Sequence, residues 1–206
     1  MESKRTTAAV LCGVVVFVAV LNLVGWWIGS DMLKGWVPGT ITMKITTALT
    51  FLAAAVLLFS LLSEIDGDVR VILAFFASSA ILFLMGPFLF SLFTGRQTGF
   101  ESLFIEDLQL IPMGKMPGWP SIGTVVAFLL IAALGFSYAF TSRKQSGSFL
   151  ILGSAVAGIG ALALIGHLLS APVLYYNWGN FNAMAVNTAV LFVLCGACIL
   201  LQKDEK

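Results

Sequence analysis

Met43-Lys-Ile-Thr-Thr-Ala-Leu-Thr-Phe51 and Met184-Ala-Val-Asn-Thr-Ala-Val-Leu-Phe192 are two versions of one pattern. In each, a Thr-Ala pair stands four residues after the Met, and a Phe stands four residues after the Thr. Four residues are about one helical turn, so Thr47 and Phe51 share a helix face, as do Thr188 and Phe192. A small residue follows after a further turn, Ala55 in one copy and Gly196 in the other. A third, partial copy runs from Thr124 through Phe128 to Ala132, with Pro120 in place of the Met and Val125 in place of the Ala.

Upstream of each copy an apolar run closes on Leu-x-Gly: Leu23-Val24-Gly25, Leu84-Met85-Gly86 and Leu164-Ile165-Gly166. The interval from Gly25 to Thr47 equals that from Gly166 to Thr188, and Leu33 falls opposite Leu174 without a gap. The middle interval is longer and carries an insertion at about 96–120. This spacing predicts three related helical hairpins, at about 7–62, 70–141 and 148–201, in quasi-threefold arrangement about an axis along the membrane normal. The plainer reading of the same letters is that Leu, Gly and Phe are simply common in membrane helices.

Composition sets the solvent. Of the 206 residues, 59% are hydrophobic and 10% charged, with a net charge of +1. A soluble domain carries about 25% charge. These figures exclude an ordinary soluble enzyme and a disordered chain, and they leave no polycationic surface for nucleic acid. Six runs have the length of a spanning helix: 7–29, 40–62, 70–93, 121–141, 148–170 and 183–201. None alternates as barrel strands do. The expected fold is an all-α membrane protein, residues 1–206 forming one six-helix transmembrane domain. The first run is too long for a signal-peptide core and carries part of the repeat, so it is expected to be retained.

Charges gather between the runs. Lys4, Arg5, Arg70, Arg143, Lys144, Lys203 and Lys206 lie on one side; Lys34, Lys44, Arg96 and Lys115 lie on the other. The positive-inside rule makes the first side cytoplasmic, predicting a multi-pass cell-membrane protein with both termini inside. Glu64, Asp66 and Asp68 read as a solvated inner turn.

All five tryptophans, Trp26, Trp27, Trp36, Trp119 and Trp178, map to the outer side, together with Tyr175 and Tyr176. An interfacial belt and a ligand mouth are both consistent with this clustering. Phe100, Leu103, Phe104, Leu108 and Ile111 fit one stripe of a short interfacial helix, either a lid or a packed cap. The candidate ligand-binding residues are Trp26, Thr47, Thr124, His167, Tyr175, Asn187 and Thr188. His167, the single histidine, suits a core hydrogen bond, a proton acceptor or one axial haem ligand. Lys44 is placed to snorkel to the outer interface. Ser154, Ala157, Gly158 and Ala161 form a small-residue stripe expected to meet a neighbouring helix. Cys195-Gly-Ala-Cys198 lies inside a predicted span, where small interior residues, redox chemistry and metal binding are all open readings. No catalytic motif, carboxylate pair within a span or phosphate loop is present, so no enzyme is expected.

At Met-x-x-x-Thr-Ala-x-x-Phe the chain resembles the polytopic, MASE-like integral membrane sensor regions that precede histidine kinase or diguanylate cyclase domains in bacteria and archaea. Leu174 and Tyr175 fit the same pattern. The resemblance implies a non-enzymatic sensor or small-molecule- or lipid-binding module in the bilayer, taking a small hydrophobic ligand. No output domain is recognised before Lys206, so the expectation is a standalone relative or an excised sensor portion that signals through a cytoplasmic or membrane protein partner. The resemblance carries over no haem or metal site, and the cofactor is left unknown. The alternatives are a small transporter or channel, and an accessory subunit of a membrane complex associated with haem or quinone. The P-x-[DE]-x-x-[KR] signature of mitochondrial carriers, which also have three helix pairs, is absent.

Overall fold

The computed structural model describes residues 2–37, 41–94, 96, 98–99, 118–141, 146–178 and 182–202. The elements are α1 (Glu2–Ile28), α2 (Asp31–Gly35), α3 (Ile45–Leu62), α4 (Gly67–Thr94), α5 (Ile122–Thr141), α6 (Ser146–Leu168) and α7 (Val186–Leu201). There is no strand among the described residues. The anticipated interfacial helix at 100–111 lies outside them.

Five helices, α1, α3, α4, α5 and α6, are long and apolar enough to cross a membrane. α7 is equally apolar but has 16 residues. At about 1.5 Å per residue it covers about 24 Å, against about 30 Å of hydrocarbon.

Helices α3, α5 and α7 are the more buried set, whereas α1, α4 and α6 each turn one face to the core and leave large apolar side chains such as Phe17, Phe83 and Ile151 outside. Such outward Phe and Ile suit contact with lipid better than contact with water. Helices α6–α7 and α4–α5 pack most closely, α1–α3 and α3–α4 follow equally, and α1–α7 and α5–α6 close a ring. The ring has two ends. The N-terminal end of α1 and the C-terminal end of α7 lie together, since the Cys198 thiol approaches the Ala8 carbonyl. Arg5 pairs with Glu64 at that same end, here termed the inner end. Asp66 and Asp68 are exposed there, as expected of a solvated turn.

The three aligned phenylalanines meet. Phe51 and Phe128 have ring centroids 4.7 Å apart, and Phe192 lies 4.9 Å from each. All three rings are fully buried. Each belongs to a different hairpin, so this one cluster ties α3, α5 and α7 together by edge-on and tilted contacts that suit the ring quadrupole.

Helices α1, α4 and α6 start at Glu2, Gly67 and Ser146, ahead of the anticipated 7, 70 and 148, and two other helix starts come late. α3 begins at Ile45 rather than 40, and α7 at Val186 rather than 183. The cause is local: the Met43 and Met184 amides donate outside their own helices, to the carbonyls of Lys34 at 2.9 Å and Tyr175 at 2.8 Å. These bonds go with extended backbone ahead of each helix, with ψ 153° at Lys44 and 152° at Ala185, so the helical turns start only after those residues.

The anticipated small-residue stripe of α6 meets α7 at Ala157, whose Cβ is 2.6 Å from one built on Gly196, but not along its whole length. Ser154 is exposed, and a Cβ added at Gly158 would meet nothing within 4 Å. The true seam is Gly153, Gly160 and Gly166, with Val156 and Ala163 between them. A Cβ at Gly160 would stand 2.5 Å from the Ala189 carbonyl oxygen on α7. The backbones of α6 and α7 therefore nearly touch, which is how helices gain dispersion energy where lipid offers no hydrophobic drive.

Candidate functional site

Most of the polar groups that break the apolar interior collect at the opposite, outer end. α1 ends in a left-handed turn at Gly29, φ +73°. The chain reverses there into the short α2, which lies back against α1: a Cβ at Gly25 would stand 2.6 Å from Leu33 Cβ. This close approach seats Lys34 in the interior of the cap, where it is 7% exposed.

The Lys34 carbonyl is the node of the cap. It accepts from Asn22 Nδ2 on α1 at 2.9 Å, from Asn187 Nδ2 on α7 at 2.9 Å and from the Met43 amide at 2.9 Å. Both asparagines are fully buried. Asn187 Oδ1 in turn accepts from the Thr188 amide at the start of α7. One carbonyl thus joins the first helix, the last helix and the entry into α3. Asn22 Oδ1 is buried without a partner, an expensive state for an amide oxygen unless a water or ligand atom reaches it.

The Lys34 side chain has its own attachments. Its ammonium pairs with Asp31 at 3.1 Å and stands 4.7 Å from the centroid of the Trp26 ring. Lys44 Nζ lies 5.9 Å from the same ring. Two cations at one indole make Trp26 a cation–π anchor. Trp26 Nε1 donates to the Met43 carbonyl at 2.8 Å.

The cap of the third hairpin is built in the same register. His167 stands where Trp26 does, and its Nε2 is 2.8 Å from the Met184 carbonyl. A carbonyl only accepts, so Nε2 carries the proton. Tyr175 takes the place of Lys34 and stacks on His167 with centroids 4.4 Å apart and planes 9° apart. Gly166 repeats the close approach of Gly25, with Leu174 Cβ 2.7 Å from its built Cβ. Ser30 donates to the Gly25 carbonyl and Ala171 to that of Gly166, each at 2.8 Å. Ser170 takes the left-handed conformation of Gly29, with φ +51°.

The middle hairpin contributes differently. Trp119 is buried, packs edge-on against Phe88, and its carbonyl accepts from Asn182 at 2.7 Å. Ser121 caps α5: its Oγ receives the Thr124 amide at 3.1 Å and lies 2.8 Å from Thr124 Oγ1. Tyr176 crosses from the third hairpin onto α5, since a Cβ at Gly123 would sit 2.6 Å from its ring. Its hydroxyl donates to the Ile159 carbonyl at 3.1 Å, and burial pushes the phenol above its ordinary range, so it stays a donor.

The anticipated residues therefore divide into three groups. Trp26 and Asn187 belong to the Lys34–Met43 node. His167 and Tyr175 form the stacked pair of the third cap. Thr47, Thr124 and Thr188 are buried in the first turns of α3, α5 and α7, one turn outward of the three phenylalanines. The tryptophans have different roles: Trp26 and Trp119 are structural anchors, whereas Trp27 is 89% exposed and faces outward as a belt residue does. The residue that sequence reading missed is Lys34. Its role rests on a main-chain carbonyl, although the match of Leu33 with Leu174 already placed it opposite Tyr175.

His167 Nε2 is occupied by the Met184 carbonyl and one ring face by Tyr175, so an axial bond to haem through Nε2 would cost the cap this hydrogen bond. Among the described residues there is no cluster of three or more His, Cys, Asp or Glu side chains able to hold a metal ion. No family, curated protein or solved structure matches the chain.

Proposed function

We propose that this chain is a non-enzymatic membrane sensor or binding module, built as six crossings in three copies of one hairpin. Its outer cap takes up a small hydrophobic ligand or responds to a membrane state. The copies are supported by the matching cap bonds of the first and third hairpins and by the meeting of Phe51, Phe128 and Phe192. The extended residues ahead of α7 make up part of the length that this helix lacks. The observation that carries the sensing role is the Lys34 carbonyl node. It binds α1 and α7 at the outer end, and the same two helices meet again at the inner end. A change at Trp26, Lys34 or the unpartnered Asn22 Oδ1 would therefore alter the packing that α7 presents to a partner inside the cell. The resemblance to sensor regions of histidine kinases and diguanylate cyclases agrees with this direction of signalling.

Native affinity isolation from membranes, with identification of bound proteins and small molecules, tests the reading. Wild type should retain a signalling partner or an apolar ligand, and Asn187→Ala should lose at least half of it. Substrate flux in proteoliposomes, with neither partner nor ligand retained, would overturn it in favour of a transporter.

A further inference from the structure

Away from the outer cap, the inner half of α1 holds a second feature. Cys12 on α1 and Cys198 on α7 face each other with their Sγ atoms 3.3 Å apart. Both are buried free thiols. The Cys198 thiol also lies 3.6 Å from the Ala8 carbonyl and accepts from Gln202 Nε2 at 3.5 Å. Sequence spacing draws the eye to Cys195 and Cys198, but the fold pairs Cys198 with Cys12. A disulfide has its sulfurs about 2.05 Å apart, so closure needs a movement of only about 1.2 Å from the present separation.

One member of this pair, Cys12, borders a groove. A groove of about 470 Å³ runs between α1 and α3 in the inner half, and Cys12 forms part of its wall with Gly13, Val16, Phe59, Ser60 and Leu73. The walls are almost wholly apolar, which favours a neutral, lipid-soluble reagent over a charged one. The position in the ring is equally telling. α1 and α7 are neighbours that no loop joins, being the first and last helices of the bundle.

We propose that Cys12 and Cys198 are a dithiol–disulfide pair, oxidised by an apolar two-electron acceptor of the quinone class that enters by this groove, and that the disulfide fastens α1 to α7. Both S–H bonds break and one S–S bond forms. The two electrons and two protons released pass to the quinone, which leaves as the hydroquinone. The two-electron balance is complete without a metal. Gln202, donating to Cys198, steadies that sulfur as its proton departs. The inference is independent of the outer cap, so it survives or fails apart from the sensing role.

The full-length protein, reduced and placed in proteoliposomes, is treated with decylubiquinone or with its hydroquinone as control, then denatured and alkylated. The quinone should leave one alkylatable thiol of three, with an intact mass lower by two hydrogens before alkylation and a peptide link between Cys12 and Cys198. Cys195→Ser should react in full, and Cys12→Ser should keep both of its remaining thiols. Three free thiols after quinone treatment would overturn the proposal, even where a water-soluble oxidant forms the link. So would a link between Cys195 and Cys198. Wild-type peptide mapping decides the question alone if the Cys12 variant fails to fold.

Discussion

His167 and Trp26 perform one task with different chemistry. Each sends a ring N–H to the carbonyl of a methionine that precedes an inner helix. The task needs a donor at the right height and a flat ring that seals the cap. It does not need an imidazole. His167→Trp should therefore keep the bond to Met184 and leave stability within about 1 kcal/mol, whereas His167→Leu strands a buried carbonyl and should cost about 1–3 kcal/mol. Reversible unfolding in mixed micelles measures both. Equal losses in the two variants would mean that the imidazole itself is required. Ser170 offers a second comparison between the same two hairpins. It holds φ +51° where its counterpart, Gly29, holds φ +73°. A left-handed residue with a side chain is strained by about 1–2 kcal/mol. Ser170→Gly should stabilise the protein by about 0.5–1 kcal/mol net of added chain entropy, and Gly29→Ser should destabilise it by a similar amount. The same unfolding measurement would refute this reading of the α6 terminus if Ser170→Gly were neutral or worse.

At the scale of elements, composition and spacing made most of the fold legible. Long apolar runs fall where the five longest helices form, because in lipid each backbone group must be satisfied within its own helix. Helix starts were less legible: whether Met43 begins a turn or pairs with Lys34 depends on a contact across a reversal that no local pattern records. The α6 seam was legible only at Ala157, for a related reason. Ser154, Gly158 and Ala161 are small and helically spaced, yet so are Gly153, Gly160 and Gly166, and only the partner helix decides which set faces inward. This difference is measurable. Gly160→Ala drives a methyl to 2.5 Å from an α7 backbone oxygen, where no side-chain rotation can give relief. It should cost about 1–3 kcal/mol by overpacking. Gly158→Ala meets open space in a helix interior and should stabilise by up to about 1 kcal/mol, since Ala is the better helix former. If the two substitutions behave alike, the seam lies elsewhere.

For the whole molecule, Phe51, Phe128 and Phe192 are the point at which the three hairpins depend on one another. Their side chains were legible as a repeated spacing, but their meeting was not, because periodicity fixes a helix face and says nothing of what that face touches. If the proposed quasi-threefold arrangement holds, the three ring contacts should be interchangeable in energy. Each single Phe→Ala removes a fully buried ring and should cost about 3–5 kcal/mol. Each double-mutant cycle should return a coupling of about 0.5–1.5 kcal/mol, the range for an aromatic pair beyond simple burial. Contacting residues couple, so the three cycles, 51 with 128, 51 with 192 and 128 with 192, should all be non-zero. They should agree within about 0.5 kcal/mol, the resolution of such cycles. The three centroid distances are themselves nearly equal, at 4.7, 4.9 and 4.9 Å. A single dominant coupling, with the other two near zero, would mean that two hairpins form the core and the third merely rests against it. If the surviving coupling were that of 51 with 192, a disturbance at Lys34 could not reach α5 through the centre of the bundle.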